Sequence, residues 1–201
     1  MGKHAIVSTD KKEETSMNQY PSLQDKVVIV SGGTRGIGYE TVRGFLQNGA
    51  KVAMLGSRQE TVNKALARLR EENASYPVLG CYPDLQSETE VKEMLDAVTT
   101  QFGTVDILVN NAGVSDATSL YDYDDQHFSD VMKINVDAMF RLTRLCAGMM
   151  KEKGKGAIVN TSSMVSLYAQ RSGSAYPTSK FAVNGMSKAL ARELGKDGIR
   201  V

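Results

Sequence analysis

Tyr176 and Lys180 stand four residues apart in Ala175-Tyr176-Pro177-Thr178-Ser179-Lys180, a short way downstream of Ser163. Side chains at that spacing share one face of a helix, so an ammonium lies beside a phenol. A free phenol titrates at about 10 and is a poor base at neutral pH. A fixed cation nearby favours its ionised form and moves it toward the range in which proton exchange with a substrate oxygen is efficient. The pair alone is weak, because Tyr and Lys four apart are also ordinary surface neighbours on amphipathic helices.

An acid-base pair needs a scaffold, and the chain supplies one. The apolar run Lys26-Val27-Val28-Ile29-Val30-Ser31 has the length of a buried parallel strand, and Gly32-Gly33-Thr34-Arg35-Gly36-Ile37-Gly38 follows at once. This reads as a strand, a tight turn and a helix starting near Gly36. Glycines there permit positive φ and a close approach of phosphate to the backbone, while the helix N-terminus offers free N–H groups to negative charge. Helical residues 39–47 and the stop at Asn48-Gly49 complete the unit.

Strands and helices then alternate. Residues 51–55, 78–82, 105–109 and 157–160 read as strands; 59–73, 87–102, a helical stretch ending at Lys153, and 175–194 read as helices. Such alternation predicts the α/β class: a doubly wound, Rossmann-like parallel sheet in three α/β/α layers. Ligands of these sheets bind outside the carboxyl ends of the strands. Asn110-Asn111-Ala112-Gly113 and Thr161-Ser162-Ser163 both fall at such ends.

Gly32-x-x-x-Gly36-x-Gly38, Asp84, Asn110-Asn111-Ala112-Gly113, Asn135 in Lys133-Ile134-Asn135-Val136, Ser163 and Tyr176-x-x-x-Lys180 occur in one order, and from about residue 25 onward the chain resembles a short-chain dehydrogenase/reductase. The resemblance implies an oxidoreductase that moves a hydride between a nicotinamide dinucleotide and a secondary alcohol or ketone. It implies that Tyr176 exchanges the proton, that Lys180 lowers the pKa of Tyr176 and binds the nicotinamide ribose, and that Ser163 polarises the substrate oxygen. Asn135 would bend its helix and hold a water that links Lys180 to solvent. Gly32, Thr34, Arg35, Gly36, Ile37 and Gly38 would surround the pyrophosphate, Asn111 and Gly113 the adenosine side, and Asp84 with Leu85 the adenine. Asn, Asp and Gly also form turns for steric reasons alone, so Asn111, Gly113 and Asp84 keep that plainer role as an alternative. Binding a dinucleotide without turnover, as a redox sensor or an assembly subunit, is the reading from another class.

Cofactor choice is read where the second strand ends, in Leu55-Gly56-Ser57-Arg58-Gln59. An NAD site places a carboxylate about 20 residues after the glycine turn to hold the ribose 2′-hydroxyl. Ser57 and Arg58 stand there instead, and Arg58 with Arg35 suits a 2′-phosphate, which favours NADP(H). Glu60 could reach the ribose, so NAD(H) stays open.

The 24 basic and 23 acidic side chains nearly cancel, and no long apolar span occurs, so neither nucleic acid nor membrane is an expected partner. Cys81 and Cys146 cannot build a disulfide framework and read as core residues; with His4 and His127 they match no metal-site spacing. Residues 1–24 are polar, without a signal peptide's apolar stretch, and read as a disordered leader or tag with Met17 as an alternative start. A cytoplasmic enzyme is expected, and the resemblance adds a homodimer or homotetramer built on the helices after strands four and five.

Gly198-Ile199-Arg200-Val201 reads as the middle of a sixth strand. The resemblance implies that a nicotinamide-contacting segment, a substrate lid, a helix and a seventh strand follow in the family. The expectation is a domain over 25–201 lacking the last part of the fold, with an edge left unpaired and turnover by the chain itself not assured. Met164-Val165-Ser166-Leu167-Tyr168-Ala169 is mostly apolar and suits a steroid or acyl chain. The glycine turn, Asn48-Gly49-Ala50-Lys51-Val52, Pro83-Asp84-Leu85 and Tyr176-Pro177-x-Ser179-Lys180 resemble bacterial bile-acid 3α-hydroxysteroid dehydrogenases, although those carry an acidic residue near the position of Ser57. The runner-up is a 3-oxoacyl-acyl-carrier-protein reductase, for which Arg141, Arg144 and Lys151-Glu152-Lys153-Gly154-Lys155 could meet an acidic carrier; a solvated helix end is the plainer account of those charges.

Overall fold

The structure, a computed structural model, describes residues 20–201; the leader up to residue 19, with His4 and Met17, lies outside the described residues. Six strands, β1 (Val27–Val30), β2 (Lys51–Leu55), β3 (Val78–Cys81), β4 (Ile107–Asn110), β5 (Gly156–Asn160) and β6 (Ile199–Arg200), form one parallel sheet in the order β3-β2-β1-β4-β5-β6. Between them run α1 (Gly36–Gln47), α2 (Gln59–Glu72), α3 (Glu88–Phe102), α4 (Asp125–Met132), α5 (Ala138–Glu152) and α6 (Ala175–Leu194). The chain winds outward from β1 in one direction and from β4 in the other. These two strands are neighbours, and the crevice where ligands bind opens above them.

Alternate residues of the central strands feed two cores. Val28, Val30, Val52 and Met54 pack with Val42 and Leu46 of α1 and Val62 and Leu69 of α2. Val27, Ile29, Leu55 and Leu108 pack on the other side with Leu95 and Val98 of α3 and Leu142, Cys146 and Met150 of α5. All four residues of β1 are buried, as its unbroken apolar run requires of a strand covered on both faces. Each such side chain contributes about 1.5–3 kcal/mol. Cys146 sits inside this core and Cys81 is partly buried; both are free thiols.

β4 starts two residues later than the apolar pattern predicts, because Val105 and Asp106 serve a clamp at the lower end of the sheet. Asp106 accepts from Val27 N at 2.9 Å and from Lys153 Nζ at 2.5 Å, and Lys153 also donates to the Val105 carbonyl at 3.1 Å. Residues 20–24, read as part of the leader, carry a 3-10 turn at Pro21–Leu23, and Tyr20 N donates to Asn48 Oδ1 at 2.9 Å. Between α4 and α5 the helix widens into a π-turn at Lys133–Asp137, with buried Asn135 at its centre. Among the described residues no helix is long and apolar enough to cross a membrane, and no cluster of His, Cys, Asp and Glu could hold a metal ion.

Candidate active site

The glycine turn lies at the carboxyl end of β1. Gly32 and Gly36 have φ of 64° and 53°, the region glycine occupies without penalty. Gly38 is there for space: a Cβ would lie 2.1 Å from the Gly32 carbonyl oxygen and 2.5 Å from Asn111 Nδ2. Arg35 caps α1 with no side-chain bond, so the first N–H groups of that helix face outward unused by a cap. Open backbone donors, a positive helix end and no side chains in the way fit a pyrophosphate. Asn111 is bound into the same turn, its Nδ2 donating to the carbonyls of Ser31 and Gly32 at 3.2 Å. Ser31, which motif reading passed over, completes the join: its hydroxyl accepts from Asn111 N and Ala112 N, both at 3.0 Å. A small hydroxyl ending an apolar strand was the available signal.

At the end of β2, Thr34 packs over Gly56, where a Cβ would meet the threonine methyl at 2.7 Å. Ser57 and Arg58 are exposed beside it, and Arg35 and Ile37 rise on the facing turn. Arg58 makes no ion pair among the described residues, whereas Glu60 is paired with Lys64 at 2.6 Å. After β3, Asp84 Oδ1 accepts from Gln86 N at 2.8 Å and Asp84 N donates to Glu90, which fixes the loop ahead of α3. The turn-forming role weighed for Asp84 is therefore real, and it leaves the second carboxylate oxygen of Asp84 free for a ligand. Leu85 is held by its carbonyl, which accepts from Arg141 at 2.9 Å.

Lys180 is 6 % exposed. Burial pushes its ammonium below the ordinary lysine range. The Nζ lies 5.8 Å from the Tyr176 ring centroid and donates to the Thr161 carbonyl at the end of β5 at 2.9 Å. Asn135 is buried behind this pair. Its Nδ2 donates to the Val114 carbonyl and to Ser179 Oγ, both at 2.9 Å, and its Oδ1 accepts from Val114 N at 2.8 Å. Ser179 Oγ donates in turn to the Tyr176 carbonyl at 2.7 Å. The π-turn thus locks the loop after β4 to the helix carrying Tyr176 and Lys180, and Ser179, which the motif contained but to which sequence reading gave no role, is the link. Gly113 sits inside the same group: a Cβ there would lie 3.1 Å from Asn135 Oδ1 and 3.7 Å from Lys180 Nζ. Ser163 is extended, and its hydroxyl accepts only a long 3.4 Å bond from Val165 N, which leaves its proton available.

The rim is apolar. Met164, Leu167 and Tyr168 after β5 are each about two-thirds exposed, and Leu120 and Tyr121 after β4 are more open still. A cavity of about 660 Å³ lies between the last two, residues 169–174, and Pro177 and Phe181 of α6. Arg141 and Arg144, considered for an acidic carrier, are committed within the chain: the first holds Leu85, the second pairs with Glu88 at 2.5 Å.

Residues 26–201 match the family model described as short chain dehydrogenase. A 3alpha-hydroxysteroid dehydrogenase of Mediterraneibacter gnavus is 53 % identical over 89 % of this chain and 72 % of its own length. A 3-alpha-(or 20-beta)-hydroxysteroid dehydrogenase of Mycobacterium tuberculosis is 36 % identical over 89 % of this chain and 67 % of its own. A solved NAD+-bound xylitol dehydrogenase superposes with a TM-score of 0.84 at 32 % identity, covering 89 % of this chain and 68 % of that one.

Proposed function

Because the chain belongs to the short-chain dehydrogenase/reductase family and is an oxidoreductase of that family, we propose that its substrate is a hydrophobic secondary alcohol or ketone of the 3α-hydroxysteroid class and that it prefers NADP(H). The observation that carries this reading is the convergence of the Tyr176, Lys180, Asn135 and Ser179 group with an open glycine turn at the carboxyl ends of neighbouring strands, under an apolar rim. The bound dinucleotide supplies or accepts the hydride at its nicotinamide.

Tyr176 takes the proton of the substrate hydroxyl on oxidation and returns it to the carbonyl oxygen on reduction. Lys180 presents its buried positive charge to the phenolate formed on the way, and Ser163 donates to the same substrate oxygen. Asn135 holds the π-turn that keeps Lys180 and Tyr176 in register and joins Lys180 to solvent through a water. Gly32, Thr34, Arg35, Gly36, Ile37 and Gly38 hold the pyrophosphate, Asn111 the adenosine side, and Asp84 and Leu85 the adenine; Gly113, expected on the adenosine side, is read instead at the nicotinamide end because it lies beside Asn135 and Lys180. Ser57 and Arg58, with Arg35, receive a 2′-phosphate; the engagement of Glu60 by Lys64 supports this over a ribose carboxylate. Leu120, Met164, Leu167 and Tyr168 meet the steroid face. The exposed rings of Phe140 on α5 and Phe181 on α6 support a homodimer or homotetramer through these helices, and the balanced charge suits a cytoplasmic enzyme.

The test is oxidation of a 3α-hydroxysteroid with NADP+ and with NAD+, followed at the nicotinamide absorbance, for the wild type and Tyr176→Phe. Turnover by the wild type, lowered about 10²–10⁴-fold in Tyr176→Phe with dinucleotide affinity retained, is the expected result. Turnover of acetoacetyl thioesters alone would move the substrate to the acyl-carrier class. Dinucleotide binding with no turnover of either substrate would make the protein a non-catalytic binder.

A further inference from the structure

We propose that Asp116, His127 and Tyr123 form a positioning clamp that sets the start of α6, and with it Tyr176, against the loops that follow β4 and β5. This role rests on the reading of Tyr176 as the acid-base residue, but the contacts that suggest it are independent of that reading. α6 begins without a side-chain cap, since Ser174 makes none. Its first unpaired N–H, that of Ala175, donates instead to the Tyr123 hydroxyl at 3.2 Å. Tyr123 lies just ahead of α4, and its ring meets that of His127 edge-on, with centroids 5.3 Å apart. His127 Nε2 lies 2.9 Å from Asp116 Oδ1, a bond that requires Nε2 to carry the proton.

Asp116 is the anchor. Its side chain is 3 % exposed, and Oδ1 also accepts from Thr118 N at 3.1 Å and Thr118 Oγ1 at 2.8 Å, while Oδ2 is buried with no partner. A carboxylate in that setting is costly and persists only through the donors it keeps. Burial pushes the carboxyl up, but the Thr118 and His127 donors more than offset this and hold it below the usual carboxylate range. The backbone around Asp116 binds the other loop. The Asp116 carbonyl accepts from Gln170 Nε2 at 2.9 Å, and the Thr118 carbonyl accepts from Gly173 N at 2.8 Å. Gly173 has φ of 82° and a Cβ there would lie 2.2 Å from the Asp116 carbonyl oxygen, so the two loops touch at a point that admits no side chain. The segment that runs into Tyr176 is therefore held from one side by Asp116 and Thr118 and from the other by Tyr123. No bond joins Asp116 or His127 to Tyr176, which is why they position it and do not react.

Four variants, Tyr123→Phe, Asp116→Asn, His127→Ala and His127→Gln, test the clamp by two readouts: steady-state turnover with dinucleotide titration, and amide exchange at Ala175 and the following turn. The expected result is a kcat about tenfold lower in the first three, with dinucleotide affinity and melting temperature retained and exchange at Ala175 accelerated. His127→Gln keeps a donor near the Nε2 position and should recover most of the loss. Unchanged kcat together with unchanged exchange at Ala175 in Tyr123→Phe overturns the clamp. So does a parallel loss of kcat, dinucleotide affinity and melting temperature in that variant, which would mark general destabilisation. Should the wild type turn over no alcohol, the acid-base reading falls, and the exchange at Ala175 alone still decides the clamp.

Discussion

At the end of β2 the choice of cofactor comes down to two side chains in different circumstances. Glu60 is spent on Lys64, while Arg58 is exposed and makes no ion pair among the described residues. An Arg–phosphate contact is a charge-assisted one, so Arg58→Asp should weaken NADPH binding by at least about tenfold, or 1.4 kcal/mol, and leave NADH binding equal or tighter. Fluorescence titration with the two nucleotides measures this, and an unaltered NADPH affinity would return the site to NAD(H). Lys180 makes a different prediction, on stability. Burial lowers its pKa from the ordinary 10.5, so between the two values the unfolded chain binds more protons than the folded one, and stability rises with pH. Compared with Lys180→Met, the wild type should therefore gain stability as pH rises from the lowered folded value, where the buried charge is shed, up to 10.5, where the unfolded chain loses its proton too and the gain ends. Urea midpoints of the two proteins at several alkaline pH values give the comparison; a gap that stays constant with pH contradicts it. The Tyr176–Lys180 pairing was readable from spacing, weak by itself, whereas the role of Ser163 entered only through the family resemblance. Ser31 and Ser179 were not legible, because a single buried serine hydroxyl has no sequence pattern and gains meaning only from the donors and acceptors the fold brings to it.

The first β-α unit depends on the absence of a side chain at one position of α1. Gly38→Ala would drive its Cβ into the Gly32 carbonyl at 2.1 Å, and backbone on both sides leaves little room to yield. We expect a loss of about 1–3 kcal/mol in unfolding free energy and a fall in dinucleotide affinity beyond what that loss explains, because the turn must open to admit the methyl. Urea denaturation and nucleotide titration of the one variant check both parts; normal affinity in a destabilised protein would mean that the turn does not hold the pyrophosphate. Much of this level was readable in advance. α6 spans the residues its pattern predicts, 175–194, and the central strands follow the apolar runs. β4 was displaced by two residues because Asp106 and Val105 face a lysine far along the chain, a contact that local pattern cannot reveal. The π-turn is a like case for local pattern, and the bend at Asn135 was expected only through the family resemblance. Asn135 follows three residues of unremarkable helix former character, and what widens the helix there is its reach to Val114 and Ser179.

The molecule as a whole can be interrogated through its two thiols, which occupy opposite extremes of the sheet's protection. Cys146 is fully buried where α5 packs on the central strands, and burial pushes its thiol up to about 12. Cys81 is partly buried on β3, the strand at one edge of the sheet, and its thiol is raised by burial too. Thiolates react and thiols do not, so at neutral pH each site needs an opening before an aromatic disulfide reagent can reach it. An edge strand can part from its single neighbour without disturbing the rest, whereas exposing Cys146 means separating α5 from the sheet and dissolving the core that β1, β4 and α3 share. Labelling of Cys81 should therefore proceed in the absence of urea and respond weakly to its addition. Labelling of Cys146 should be slower by orders of magnitude and should steepen with urea along the same slope as global unfolding followed by circular dichroism. If Cys146 reacts as fast as Cys81 with a shallow urea dependence, α5 opens on its own, and the π-turn around Asn135 that joins it to α4 would then be the hinge of a locally unstable unit instead of a rigid support for Tyr176 and Lys180.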